Sequence, residues 1–212
     1  MPELRPYTTV CRGVTIEFTV NKSRFIGRCF PLKNEEEALC ALADIRKEHW
    51  DATHNCYAYA LGPLFETARF SDDGEPGGTA GLPMLEALKS RGVTDTLVIA
   101  TRYFGGVLLG AGGLVRAYSR TASEAVAAAG VVHMRPARRV ELRLDYARYG
   151  AVEGYVRQNA GDVECVFAEN VTIRAMVRGE RMDAFLKEIT ERTDGRAVLE
   201  TLEQGYLREE ER

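Results

Sequence analysis

The acidic loop, residues 71–81, contains the side chains best suited to chemistry. Asp72, Asp73 and Glu75 lie within four positions and lead into Gly77-Gly78-Thr79-Ala80-Gly81. Carboxylates crowded in this way repel one another unless a cation, an arginine or backbone N–H groups offset the charge. The spacing is not that of an EF-hand calcium loop. The segment is therefore either a solvated acidic turn or a loop whose small residues let its backbone approach a partner.

The glycine loop, residues 102–113, links an apolar strand to a helix N-terminus, a position that favours an anion. It does not match the P-loop pattern, because Ala111 stands where a lysine is needed, nor the dinucleotide pattern, because Val115 replaces the third glycine. Two interpretations remain open. The glycines permit tight packing of helix on sheet, or Arg102 and Arg116 flank an anion pocket.

The histidines indicate neither a metal site nor a catalytic residue. His49 and His54 are five positions apart, which is not the i, i+4 spacing of a helical zinc site. Cys56 and His54 would share one face of a strand about 7 Å apart, too far for a nucleophilic pair. His54 is either a hydrogen-bonded structural residue or part of a pocket, and Lys22 and Arg24 form a basic turn that is otherwise an exposed hairpin.

The elements that must position these loops follow from hydrophobic periodicity and punctuating residues. Asn34 followed by three glutamates predicts a helix N-terminus. The remaining predicted elements of the first part are strands over 12–20, 24–32, 54–61 and 94–103, helices over 82–89 and 114–129, and a loop over 62–81.

The second part of the chain shows a different pattern. After an Ala-rich helix that ends at Gly130, the segment Arg135-Pro136-Ala137-Arg138 marks a boundary. The order that follows is strand, helix, strand, strand, helix, strand, which is the ferredoxin-like βαββαβ arrangement. We therefore predict an α+β protein of two domains, residues 1–134 and 135–212.

Composition excludes several classes of protein. The 212 residues carry a formal net charge of −3, so the chain is not a polycation that coats nucleic acid through bulk charge. Its five cysteines contain no C-x-x-C pair, which predicts reduced thiols and a cytoplasmic protein. No run approaches the roughly 18 apolar residues of a membrane span. Neither a membrane partner nor a cofactor is predicted, and the oligomeric state is left open.

Five strings resemble one family in content and order. They are Lys22-Ser23-Arg24-Phe25, ATHNCYA over 52–58, DDGEPGGTAG over 72–81, RYFGG over 102–106 and LGAGGLVRAY over 109–118. Together they closely resemble the YigZ/IMPACT family across about residues 15–130. The one departure is Gly78, where the family string has serine, so any role of that hydroxyl in ligand binding is absent here.

The resemblance implies a fold and a field of function. It implies an N-terminal βαβ domain similar to the second domain of ribosomal protein S-five, and a ferredoxin-like C-terminal domain similar to the fifth domain of elongation factor G. Eukaryotic relatives restrain the stress kinase that phosphorylates initiation factor two by competing for its activator. Bacterial relatives have no settled activity, and a shared fold supports function only by analogy.

Two main hypotheses follow. In the first, a non-enzymatic, translation-linked protein contacts RNA, the ribosome or a translation-associated protein. Four basic side chains would then position phosphates: Lys22, Arg24, Arg102 and Arg116. In the alternative, the acidic loop holds Mg²⁺ and the glycine loop binds a phosphorylated small molecule. We favour the first, because no general base or nucleotide motif is present; a purely structural or chaperone-like role also remains open.

Either hypothesis predicts that the two loops line one concave surface, with Arg102 neutralising Asp72 or Asp73. No catalytic residue or metal ligand is predicted. The predicted binding residues are Lys22, Arg24, His54, Asp72, Asp73, Glu75, Thr79, Arg102, Tyr103, Gly105, Gly106, Gly110, Gly112, Gly113 and Arg116.

Overall fold

The computed structural model describes residues 4–210. The chain forms two compact units, one over residues 7–133 and one over residues 134–209 together with 4–6. Both mix helices with antiparallel sheet, which confirms the predicted α+β fold of two domains. Within residues 4–210, no helix is long and apolar enough to cross a membrane.

The first unit is built on a five-stranded sheet of order β2-β3-β6-β4-β5, antiparallel throughout. Its elements are β1 (Tyr7–Val10), β2 (Val14–Val20), β3 (Ser23–Pro31), α1 (Glu35–Glu48), β4 (His54–Leu61), β5 (Thr67–Ser71), α2 (Gly81–Ser90), β6 (Thr96–Tyr103) and α3 (Ala111–Ala129). As predicted, Asn34 is the N-cap of α1, and its side chain accepts a hydrogen bond from the backbone N–H of Glu37.

Helices cover both faces of this sheet. Helices α2 and α3 share a core with Phe25, Cys56 and Val98, whereas α1 packs with Leu97 and Ile99. Successive residues of a strand point to opposite faces, so β6 alternates between the two layers. At the end of β6, this alternation places Arg102 on the α2 and α3 face and Tyr103 on the α1 face.

The second unit has the predicted ferredoxin-like fold. Strand β7 (Val131–Leu144) leads into α4 (Tyr146–Asn159), β8 (Gly161–Phe167), β9 (Val171–Arg178), α5 (Met182–Arg192) and β10 (Val198–Glu210). The strands take the order β10-β7-β9-β8, in which the first and last strands of the motif are neighbours. Both helices pack on one apolar cluster that includes Leu142, Val152 and Phe185.

Two strands differ from the sequence prediction. The predicted loop over 62–81 contains β5, which pairs with the edge of β4 from Tyr57↔Ser71 to Leu61↔Thr67. The Gly, Pro and Asp residues on either side of this short strand dominate the local pattern, so its period-two signal was not detected. Strand β1 lies before the first predicted strand, which was expected over residues 12–20.

Candidate functional site

The two loops converge on one cavity of about 360 Å³. Its wall includes Glu75 and Pro76 from the acidic loop, Phe104 and Leu108 from the glycine loop, and His54 from the start of β4. This confirms the prediction that the loops line one concave surface. A cavity of this volume lies at the small end of the range for ligand sites.

Asp72 organises the acidic loop from within. One carboxylate oxygen accepts hydrogen bonds from the backbone N–H groups of Ala80 and Gly81, at 2.9 and 2.8 Å, and the other accepts from Gly78 at 2.8 Å. The N–H groups of Ala80 and Gly81 stand at the beginning of α2, where a helix leaves its donors unpaired, and Gly78 lies in the turn before it. Asp72 therefore supplies from a distance the anionic cap that the N-cap residue, Ala80, does not.

Asp73 anchors the loop to neighbouring elements. Its carboxylate accepts a hydrogen bond from the backbone N–H of Asn55 at 2.6 Å and lies 3.3 Å from Nη2 of Arg46 on α1. Its backbone carbonyl accepts from Nδ1 of His54 at 2.8 Å. Because a carbonyl oxygen only accepts, Nδ1 of His54 carries a proton. The loop thus fixes the orientation of the one histidine in the cavity wall.

The pair formed by Glu75 and Arg102 is the electrostatic centre of the site. Their side chains are 3% and 5% exposed, and Nη1 of Arg102 donates to Oε1 of Glu75 at 2.6 Å. The same oxygen accepts from the hydroxyl of Tyr118 at 2.6 Å. The expected pairing of Arg102 with Asp72 or Asp73 is therefore wrong, because backbone donors hold Asp72 in place while the longer Glu75 side chain reaches the buried guanidinium.

Arg102 has further contacts around this pair. Nη2 donates to Oγ of Ser23 at 3.2 Å, and the guanidinium lies over the rings of Phe25 and Phe104, 5.6 and 5.5 Å from their centroids. Nε is buried and has no hydrogen-bond partner. Arginine keeps its charge under all ordinary conditions, so this one N–H is a donor that nothing in the described chain satisfies.

Burial also governs the groups behind the cavity. Burial, and secondarily Cys56 and Glu75, raise the pKa of the Tyr118 hydroxyl, so Tyr118 remains a neutral donor to Glu75. Burial likewise raises the pKa of the Cys56 thiol to about 12. The thiol donates to the backbone carbonyl of Asp72 at 3.0 Å. Cys56 is thus a structural contact beneath the acidic loop, since a nucleophile would need the thiolate.

The glycine loop is held at its start and open at its end. A Cβ on Gly105 would lie 2.0 Å from the backbone oxygen of Lys22, so only glycine lets the loop pack against the turn between β2 and β3. At the other end, Gly110 has a φ of +70° and is the N-cap of α3, with no side-chain capping hydrogen bond. Gly112 and Gly113 follow in the first turn of that helix.

The outer surface of the glycine loop is apolar. Leu108 is 84% exposed and Phe104 45%, and Val107 in the same loop and Val115 in the first turns of α3 are exposed as well. A second cavity of about 240 Å³ adjoins it, with Arg116 and Arg120 in its wall. Leu109 lines both cavities, so basic side chains flank the apolar surface.

Several predicted binding residues lie away from the cavity. Tyr103 contacts His49 and Asp51 on the opposite face of the sheet, as the alternation along β6 requires. Arg24 is exposed and forms a bidentate pair with Glu17 at 2.8 Å. Arg116 lines the second cavity. Thr79 is buried, and its hydroxyl donates to the backbone carbonyl of Pro76.

Two further glycines, Gly78 and Gly106, are characterised by their backbone conformation and their exposure. Gly78, the one departure from the family string, has a φ of +76°, a conformation that a side chain disfavours, and its N–H is the donor to Asp72. Gly106 is exposed in the glycine loop.

The three carboxylates do not form a metal site. Over residues 4–210, no group of three or more His, Cys, Asp and Glu side chains is placed to hold a metal ion. Asp72 caps backbone N–H groups, Asp73 binds Asn55 and Arg46, and Glu75 binds Arg102. The geometry favours internal capping over the Mg²⁺ site of the alternative hypothesis.

Sequence reasoning missed several residues of this site, among them Tyr118 and Phe104. Tyr118 lies on α3, more than one helical turn after Gly113, and its hydroxyl donates a hydrogen bond to Glu75. Phe104 contributes both a cavity wall and a ring above Arg102. Both belong to the strings RYFGG and LGAGGLVRAY, so their place in those strings was the available signal.

Models of protein families match both parts of the chain. The Impact N-terminal domain matches residues 21–126, and a domain of unknown function, DUF1949, matches residues 142–196. The first match contains every wall residue of the 360 Å³ cavity.

Curated relatives extend the match to most of the chain. The IMPACT family member YvyE of Bacillus subtilis is 40% identical over 205 residues, which cover 96% of this chain and 94% of the relative. The IMPACT family member YigZ of Escherichia coli is 31% identical, covering 90% of this chain and 95% of the relative. Protein IMPACT of Mus musculus is 31% identical over 112 residues, covering 51% of this chain and 35% of the mouse protein.

A solved structure has the same fold. It is titled the crystal structure of a hypothetical protein, is 29% identical, and superposes with a TM-score of 0.61. The comparison covers 95% of this chain and 99% of that chain.

Proposed function

The chain belongs to the IMPACT family, and from that premise we propose that it is a non-enzymatic, translation-linked regulatory protein that binds a translation-associated protein. The proposed binding face consists of the cavity between the two loops and the exposed apolar residues Phe104, Val107, Leu108 and Val115. The link to translation rests on the family, whose relatives include eukaryotic IMPACT proteins. The choice of a protein partner rests on the geometry.

One observation supports a protein partner above all. Glu75 and Arg102, the charged pair in the cavity wall, are buried and offset each other's charge. Phe104 and Leu108, at the rim of the cavity, are exposed. A protein that holds RNA needs accessible cations for the phosphates. An exposed apolar rim around a preformed cavity is typical of a surface that receives an apolar side chain.

The predicted phosphate contacts are also weakened individually. Arg102 offers little net charge to an RNA phosphate at the protein surface, because its guanidinium is paired with Glu75 and its side chain is 5% exposed. Arg24 already binds the carboxylate of Glu17 with two hydrogen bonds. Only Lys22 and Arg116 among the four predicted phosphate contacts remain exposed and outside such pairs in the described chain.

The basic side chains beside the rim favour a partner of matching charge. Arg116 and Arg120 flank Leu109 in the wall of the second cavity. Acidic residues around the partner's apolar group would meet these arginines. Charge complementarity of this kind mainly increases the association rate and the specificity of a complex.

Affinity recovery from a cell extract tests this proposal. Tagged parent protein, Leu108→Ser and Trp50→Ser would be compared with and without RNase, since Trp50 is 83% exposed and lies in a different part of the unit. We expect the parent and Trp50→Ser to recover a translation factor or ribosomal protein after RNase treatment, and Leu108→Ser at least tenfold less.

Three results would contradict the proposal. Loss of recovery on RNase treatment would point to RNA as the partner. Equal recovery by Leu108→Ser would place the contact elsewhere. Recovery without any translation component would remove the link to translation.

A further inference from the structure

We propose that the cavity between the two loops recognises the free C-terminal carboxylate of a partner protein whose last residue is apolar. This inference rests on the proposed function, since it names the part of the partner that enters the binding face. It requires an anion subsite and an apolar subsite within one residue's length of each other.

The open N-terminus of α3 supplies the first half of the anion subsite. Helix α3 has 19 residues and begins at Ala111. Its N-cap residue, Gly110, has no side chain that could cap the first N–H groups. Both residues line the cavity. The first N–H groups of a helix have no partner within it and carry partial positive charge, so they bind an anion that approaches along the axis.

Arg102 supplies an independent second half. It lines the same cavity, is 4% exposed, and its buried Nε has no hydrogen-bond partner. Leaving such a donor unsatisfied is costly, and an entering oxygen atom would remove that cost. The other two guanidinium nitrogens already donate to Glu75 and Ser23, which hold the group in place.

The rest of the wall fits an apolar side chain. Much of it is apolar, and besides Glu75 and Arg102 the polar residues in it are Thr53 and His54; the apolar ones are Pro76, Phe104, Leu108, Leu109 and Leu114. The volume of about 360 Å³ accommodates a large aliphatic or aromatic side chain with its own backbone. The anion subsite and this apolar wall lie in the same small volume. A carboxylate and an apolar group must therefore be separated by few bonds in the ligand.

A C-terminal residue meets this condition, because its carboxylate and its side chain share one Cα. An aspartate or glutamate within a chain carries its anion where an apolar group would otherwise be. A phosphate dianion fits less well, since the carboxylate of Glu75 lies next to Arg102 and already offsets its charge. Capture of a terminal carboxylate by backbone N–H groups is an established mode of peptide recognition.

Paired peptides test the inference with the full chain. Fluorescein-labelled pentapeptides ending in valine, leucine, isoleucine or phenylalanine would be prepared with a free carboxylate and as the C-terminal amide. Binding is followed by fluorescence anisotropy at one salt concentration. We expect at least one free acid to bind at least tenfold more tightly than its amide.

Two variants check that this preference arises in the cavity. Leu108→Ser should weaken binding of the preferred acid at least fivefold, and Trp50→Ser should leave it unchanged. Arg102→Lys, which lacks an Nε donor, should reduce the ratio between acid and amide if it folds. The parent ratio remains decisive if that variant does not fold.

The inference is overturned if no peptide acid is preferred over its amide, or if Leu108→Ser binds the preferred acid as tightly as the parent does. Its failure is distinguishable from failure of the proposed function. Recovery of a translation component without any preference for a terminal carboxylate would retain the function and reject this recognition mode. A clear peptide preference without any translation component would do the reverse.

Discussion

Two helices begin just after the loops that line the cavity, and their N-termini are treated differently. The N-terminal N–H groups of α2 donate to Asp72, a carboxylate of the acidic loop itself. The N-terminus of α3 follows the glycine loop and has no side-chain cap. The N-terminus of α2 is therefore capped by a carboxylate of the same chain, whereas the N-terminus of α3 has no side-chain cap and lies beside a cavity.

The difference separates a scaffold from a binding surface. In the acidic loop, Asp72, Asp73 and Glu75 all bind groups of the protein, and Glu75 is buried. In the glycine loop, Phe104 and Leu108 are exposed. Substitutions in the first loop should therefore affect stability, and those at the tip of the second should affect binding alone.

The largest expected effect follows loss of charge at Glu75. Glu75→Gln leaves the Arg102 guanidinium buried without its counter-charge, which costs about 3–5 kcal/mol for a buried pair broken on one side. Calorimetry or circular dichroism should show the unfolding transition of the first unit lowered by at least about 6 °C.

A matched double variant distinguishes charge from packing at this position. Replacing both members, Glu75→Leu with Arg102→Met, should recover much of the loss, because no uncompensated charge remains. An unchanged melting temperature in Glu75→Gln would show that the pair does not hold the loops together.

A smaller loss is expected at Asp72. Asp72→Ala removes the acceptor of two backbone N–H groups at the start of α2 and of one in the turn before it. Loss of such a cap costs about 1–2 kcal/mol. Chemical denaturation should give a lower midpoint with little change in slope. Full stability in Asp72→Ala would contradict the scaffold role of this carboxylate.

The reactivity of the Cys56 thiol measures whether the acidic loop stays packed over it. Its pKa of about 12 keeps the thiol protonated at neutral pH, and it donates to the carbonyl of Asp72. Alkylation of Cys56 by iodoacetamide should therefore be negligible at pH 8 and increase as the pH approaches 12, whereas the exposed Cys40 reacts at pH 8.

Alkylation of Cys56 also tests the effect of Asp72→Ala on the acidic loop. Mass spectrometry of native protein should show faster labelling of Cys56 in Asp72→Ala, because the loop opens more often. Rapid labelling of Cys56 in the parent at pH 8 would contradict a closed loop.

The smallest effect on stability is expected at the tip of the glycine loop. Leu108→Ser alters a side chain that is 84% exposed, and surface changes of this kind remain within about 0.5 kcal/mol. Its melting temperature should match that of Trp50→Ser. A large destabilisation would show that Leu108 belongs to the scaffold.

Local patterns predicted most of the fold. The helix start predicted at Asn34 and the strand predicted over 54–61 are elements whose positions the structure confirms. The βαββαβ order of the second unit followed from the same signals. Strand β5 was missed, because a five-residue edge strand between glycine-rich turns has too short a pattern and takes its stability from pairing with β4.

The location of the site could be predicted from the sequence, but the contacts between its side chains could not. Glycine and carboxylate strings identified both loops, whereas the partner of Arg102 depends on which carboxylate is already engaged by backbone N–H groups. The position of Tyr103 was accessible in principle, since adjacent strand residues point to opposite faces. The exposure of Leu108 depends on how the loop leaves the sheet, which periodicity does not record.

Photo-crosslinking from the two loops tests the central claim, that the glycine loop carries the partner while the acidic loop serves as scaffold. Benzoylphenylalanine would be placed in living cells at Leu108 or at Gly77, where a side chain meets nothing within 4 Å. The account predicts RNase-resistant adducts with a translation-associated protein from position 108 and little or none from position 77. Stronger adducts from position 77, or adducts from position 108 that are nucleic acid, would contradict it.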